Sequence, residues 1–152
     1  MAEESVVKEQ LLSEAIGAAD KLTMALRRRS DFELVASFWL YTSDENRWRL
    51  FIATPLFDSQ GPLFVYNLIQ NILAENWDMS LAFRLHSISV QSPNHPVVKA
   101  LRSLGPFGIQ DLPKTPRRPS RTVRVPRRIA HSRVQDVFVE DALIYFLQQP
   151  DS

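Results

Sequence analysis

Residues 32–55 read FELVASFWLYTSDENRWRLFIATP. Two apolar runs rich in aromatic and β-branched residues flank a polar knot, Thr42-Ser43-Asp44-Glu45-Asn46, which carries turn chemistry. That pattern predicts a β-hairpin. An isolated hairpin is marginal in water, so the remaining chain has to cover it. Alternation over residues 32–41 sorts Phe32, Leu34, Ala36, Phe38 and Leu40 onto one face. The other face receives Glu33, Val35, Ser37, Trp39 and Tyr41. Residues 47–54 divide into Trp48, Leu50 and Ile52 against Arg47, Arg49 and Phe51. Matching like with like sets the apolar face of the first strand beside Trp48, Leu50 and Ile52. Trp39 and Tyr41 are then expected beside Arg47 and Arg49.

Working outward, residues 4–29 predict a long helix. Leu12, Ala15, Ile16, Ala19, Leu22 and Leu26 form one apolar stripe. Acids at its start and Arg27-Arg28-Arg29 at its end suit the helix dipole. After Pro55, Asp58-Ser59-Gln60-Gly61-Pro62 announces a second helix, whose stripe of Val65, Tyr66, Ile69, Ile72 and Leu73 runs to about Asn76. Residues 81–90 alternate again, with Phe83 and Leu85 opposing Arg84 and His86, and read as a third strand. A short helix follows over 97–104, with Gly105 as the residue that ends it. Residues 134–148 suit either element, and Val137-Phe138-Val139 with Ile144-Tyr145-Phe146 favour a strand with a bulge at Glu140-Asp141.

The expected architecture is an α+β fold in the order α-β-β-α-β-α-β. It consists of an antiparallel sheet of three to five strands with two main helices packed on one face. At 152 residues the chain fits a single domain, with residues 106–133 as a Pro/Arg-rich loop or arm. Residues 121–125 could add a short edge strand. No apolar run reaches the roughly 20 residues that cross a bilayer. The acidic, secretory-signal-free N-terminus and the lack of cysteine fit a cytoplasmic, reducing setting.

Charge is unevenly spread. Residues 113–133 hold one Lys and seven Arg and no acid, a local +8 that leaves −7 on the rest of a chain totalling +1. The arm comprises Lys114, Arg117, Arg118, Arg121, Arg124, Arg127, Arg128 and Arg133. Arginine on a proline-stiffened chain can track phosphates, so nucleic acid is one expected partner. It can equally fold back on acids of its own domain or of a second copy. The arm carries no interleaved large apolar side chains for insertion, which argues against a membrane.

Enzyme signatures are not met. Gly17, Gly61, Gly105 and Gly108 make neither a Walker-type loop nor a dinucleotide fingerprint. His86, His95 and His131 lack metal-ligand spacing, so no metal, cofactor or small-molecule substrate is expected. His95, between Asn94 and Pro96, is a helix-capping position before it is a general base. Adjacent Glu140 and Asp141 point apart and form no catalytic pair. The expectation is therefore a non-enzymatic interaction module that binds a protein partner or itself. Its surface would be a sheet face bearing Trp39, Tyr41, Arg47 and Arg49, joined by Arg84 and His86. Aromatic rings with guanidinium groups suit protein hot spots and unpaired bases alike. Two alternatives stand beside it: nucleic-acid binding through the 113–133 arm, and an enzyme with an unrecognised site around His95 or His131.

Overall fold

The computed structural model describes residues 8–83, 86–108 and 126–149. The hairpin forms as β1 (Ala36–Thr42) and β2 (Arg47–Ala53), joined by a turn in which Asn46 takes a positive φ of 47°. Its register differs from the like-with-like pairing. Trp39 lies opposite Leu50, Tyr41 opposite Trp48 and Leu40 opposite Arg49. Directly opposed residues of an antiparallel pair share a face, so Trp39 and Tyr41 join Trp48, Leu50 and Ile52. A one-residue change of register exchanges whole faces, and here the turn length sets it.

Helix α1 (Ser13–Arg28) is shorter than the stripe predicts, starting after an extended Leu12 (φ −71°, ψ 145°) that makes no side-chain cap. Residues 8–12 lie outside any helix, and Glu9 commits its polar groups to the hairpin. Its N–H donates to Asn46 Oδ1 (2.8 Å), and its Oε1 accepts from the Trp48 N–H (2.8 Å). Its carbonyl accepts from Trp48 Nε1 (3.0 Å). These three bonds tie Glu9 to the turn and to Trp48.

Beyond Pro55 the chain makes α2 (Leu56–Gln60), then α3 (Pro62–Glu75), with Gly61 at φ 89° turning between them and Pro62 opening the second. The alternation of residues 81–90 proves misleading. α4 (Trp77–Ala82) takes its start, and only β3 (Ser87–Gln91) is extended. Because α2, α3 and α4 carry the chain back along the sheet, β3 enters parallel to β2. The sheet is therefore mixed rather than antiparallel. α5 (Pro96–Arg102) follows, with Gly105 at φ 103° just beyond it. Short β4 (Phe107–Gly108) comes next, then β5 (Arg127–Val134) and β6 (Val137–Leu147). Residues 121–125, considered above as an edge strand, lie outside the described residues.

Among the described residues the sheet has six strands in the order β3-β2-β1-β6-β4, with β5 on the same outer side of β6 as β4. Helices α1 and α3 pack on the face that holds Trp39, Tyr41, Trp48, Leu50 and Tyr145. The opposite face is covered too: Phe38, Leu40, Phe51 and Ile144 cluster with Val98 and Leu101 of α5. Val139 and Ala142, three apart on β6, both belong to that second cluster, yet the register shift lies further on: β1 pairs Ser37 with Phe146 and Phe38 with Ile144, which makes Tyr145, not Glu140-Asp141, the extra residue of the bulge.

Two buried polar links tie α1 to the sheet. The Thr23 hydroxyl meets Ala19 O and the Ser37 hydroxyl, each at 2.7 Å. The Tyr145 hydroxyl accepts from Trp39 Nε1 (3.1 Å) and donates to Ile16 O (2.7 Å). Removing that one oxygen leaves the buried Trp39 indole N–H without its partner and cuts the tie to the Ile16 carbonyl of α1. Tyr145→Phe is expected to lower stability by about 1–3 kcal/mol, read as a lower midpoint in urea unfolding with the slope unchanged.

Candidate functional site

The aromatic and arginine residues expected on one open face are separated. Trp39 is wholly buried, 6.0 Å from Phe83 and 5.5 Å from His86 between ring centres. Tyr41 is buried beside Trp48 on the same helix-covered side. Arg47 and Arg49 belong to the other side of β2, Arg47 exposed and Arg49 paired with Glu45 across the turn. Arg84 lies outside the described residues. His86 is buried, its Nδ1 3.3 Å from Glu9 Oε1, yet neither ring nitrogen makes a hydrogen bond among the described residues. The expected sheet-face surface is thus corrected. Its rings are core, because the register turns them under α1 and α3.

The basic arm fares differently. Lys114, Arg117, Arg118, Arg121 and Arg124 lie outside the described residues, whereas Arg127, Arg128 and Arg133 stand on β5. All three are exposed. Arg127 and Arg133 have no acidic partner among the described residues. Arg128 does: its Nε and Nη2 donate to Asp141 at 3.1 and 2.7 Å.

Asp141 is the residue that sequence reasoning missed. It sits in mid-strand on β6, opposite Tyr41 of β1 and Ala130 of β5, and is 1% exposed. A carboxylate there demands compensation. Arg128 supplies one side and Lys8 the other, with Nζ 2.6 Å from Oδ2. Burial alone pushes the Asp141 carboxyl up, but the hydrogen bonds from Arg128 and Lys8 outweigh it and hold it below the usual carboxylate range. The Lys8 ammonium also stands over the rings of Tyr41 (4.6 Å) and Trp48 (5.3 Å). Beside this cluster runs a groove of about 490 Å³, lined by Lys8, Glu9, Leu11, Trp48, Arg128 and Leu143 among others. One signal in the sequence marked the spot: an Asp inside the apolar run VFVEDALIYFL has to be met by a cation.

The remaining histidines have visible roles or settings. His95 caps α5, its Nδ1 accepting from the Val97 N–H (3.2 Å), and packs edge-on to Phe51. Burial lowers its pKa, which keeps the accepting neutral ring. His131 is exposed on β5 with φ 47°. Among the described residues no group of three or more His, Asp or Glu side chains is placed to hold a metal ion. No helix of the described chain is long and apolar enough to cross a membrane. Comparison with protein families, curated proteins and solved structures finds no match to this chain.

The lowered pKa of Asp141 fixes the sign of a pH effect. A carboxyl more acidic in the folded than in the unfolded chain stabilises above its unfolded pKa of about 3.9, and that contribution is lost as pH falls through the folded value. Asp141→Asn is expected to cost about 1.5–3 kcal/mol at pH 7, the worth of hydrogen bonds to a charged group. Urea unfolding across pH should show the gap between variant and wild type closing below about pH 4.

Proposed function

We propose that this chain is a non-catalytic interaction module that takes up an acidic, extended segment of a protein partner along the outer edge of β5. The observation that carries the reading is the edge itself. β5 is eight residues long and laddered to β6 on its inner side only, and no described strand lies beyond it. An edge of this kind offers unpaired backbone donors and acceptors to an incoming strand. Arg127 and Arg133, exposed at its two ends, give the incoming strand a preferred charge, and arginine grips carboxylates bidentately. Phe138, 55% exposed and opposite Arg133, adds an apolar anchor at the hairpin end. The other sheet edge, β3, is shorter and carries no charged residue.

Nucleic acid is the second reading, favoured by the same arginines. It is weakened by Arg128, whose charge Asp141 already holds, which leaves two unpaired arginines on the described edge. A phosphate track needs more contacts than that for useful affinity.

The test uses a fluorescent peptide of alternating Glu and Val, a version with one central proline, and oligothymidylate, each followed by anisotropy. The alternating peptide is expected to bind, with the proline version at least tenfold weaker because it cannot complete the ladder. Arg127→Glu combined with Arg133→Glu should weaken the alternating peptide at least tenfold. Equal binding of both peptides, or none, overturns strand addition. Preference for oligothymidylate, falling about 0.7 log units per phosphate contact for each log unit of salt, gives the nucleic-acid reading instead.

A further inference from the structure

We propose that Tyr41, Trp48 and Asp141 form a binding site for an alkylammonium group, which the chain's own Lys8 fills. The site does not use Arg127 or Arg133 of the β5 edge, and it takes a ligand of opposite charge.

Geometry comes first. The Tyr41 and Trp48 rings are 5.5 Å apart between centres and inclined at 60°, so they make two walls of a corner. Each ring is tethered at its polar end. The Tyr41 hydroxyl donates to Asn46 Oδ1 (2.6 Å), and Trp48 Nε1 donates to Glu9 O (3.0 Å). The third wall is the Asp141 carboxylate, whose side chain is 2% exposed. Two aromatic faces meeting a buried carboxylate is the arrangement that recognises quaternary ammonium and methylated lysine head groups. Lys8 shows how such a group sits there, within 4.6 and 5.3 Å of the ring centres and 2.6 Å of Oδ2.

Charge agrees with geometry. With Lys8 in place, Lys8 and Arg128 balance Asp141 and Glu9. Withdrawal of the ammonium leaves one negative charge, the complement of a monocation. Access follows from the exposure of Lys8, whose side chain is 45% open to solvent. It can rotate out while Glu9 keeps its three hydrogen bonds to the hairpin. The adjoining groove, with Leu11, Ile16 and Leu143 in its wall, accepts the alkyl chain of an entering ligand. A tethered side chain competes at an effective concentration in the millimolar range, so Lys8 acts as a built-in competitor of weak ligands.

The experiment uses the full chain with Lys8→Met, which keeps the stem and removes the charge. Tetramethylammonium chloride is titrated against an equal ionic strength of sodium chloride. The indole N–H resonance of Trp48 and the cooperativity of urea unfolding are recorded. The expected result is a saturable Trp48 shift in Lys8→Met, at least tenfold weaker in wild type, and absent with sodium chloride. Asp141→Asn added to Lys8→Met should abolish it. Choline and a short lysine peptide, unmethylated and trimethylated, then identify the source. Tighter binding of choline indicates a free small molecule, and tighter binding of a peptide indicates a protein tail. If Lys8→Met unfolds, the wild-type titration carries the same test at higher concentration. A folded variant with no saturable Trp48 shift, or one that sodium chloride reproduces, overturns the proposal.

Discussion

A four-residue turn, Ser43 to Asn46, sets Thr42 opposite Arg47, and the faces of β1 and β2 follow from that pairing. Every second residue inward from the turn then has a fixed neighbour. Tyr41 meets Trp48, Trp39 meets Leu50, and Ser37 meets Ile52. The rings of Trp39, Tyr41 and Trp48 are thereby aimed at the side of α1 and α3, where the area removed from water stabilises the fold. The other face of the same strands carries Phe38 stacked on Phe51, and α5 closes over it. Buried on both sides, β1 is the layer on which the remaining elements are laid.

How far the residues announced this depends on which signal each segment carried. Strong periodicity was legible: the stripe of α3, the two hairpin strands and the apolar run of β6 appear where their patterns put them, and α1 keeps its stripe only from Ser13 onward. The α+β class followed from their order. Face assignment was not legible, for a physical reason. Matching polarity finds the register when one face is wet, and both faces of β1 are dry. What decided was turn geometry, which composition reports only as a polar knot. The alternation over residues 81–90 misled because the last two residues of α4, Leu81 and Ala82, and the short strand β3 fall into one apparent period-two pattern. The parallel entry of β3 is a property of the path through α2, α3 and α4, and no local pattern contains it.

Of the candidate site, the basic arm was readable as charge and its destination was not. Burying Asp141 in mid-strand creates a demand that Lys8 and Arg128 meet from opposite ends of the sequence. That demand explains two departures at once. Together with the bonds of Glu9 to the hairpin it holds the Lys8 end of residues 8–12 against the sheet, and it draws one arginine of the arm back onto β6. Ion pairs of this sort specify an arrangement as much as they stabilise it, because a buried charge tolerates few alternatives.

The placement of β6 between β1 and β5 has a consequence for how the chain comes off the ribosome. Most of β1's neighbours are made early, yet the strand that completes its second side is made late. Until β6 emerges, the growing chain presents Ala36–Thr42 with one row of backbone groups open, and an open row is a template for the wrong partner. A nascent chain stalled before Val137 would therefore be a stickier species than the finished protein, with its greasiest strand half-clothed.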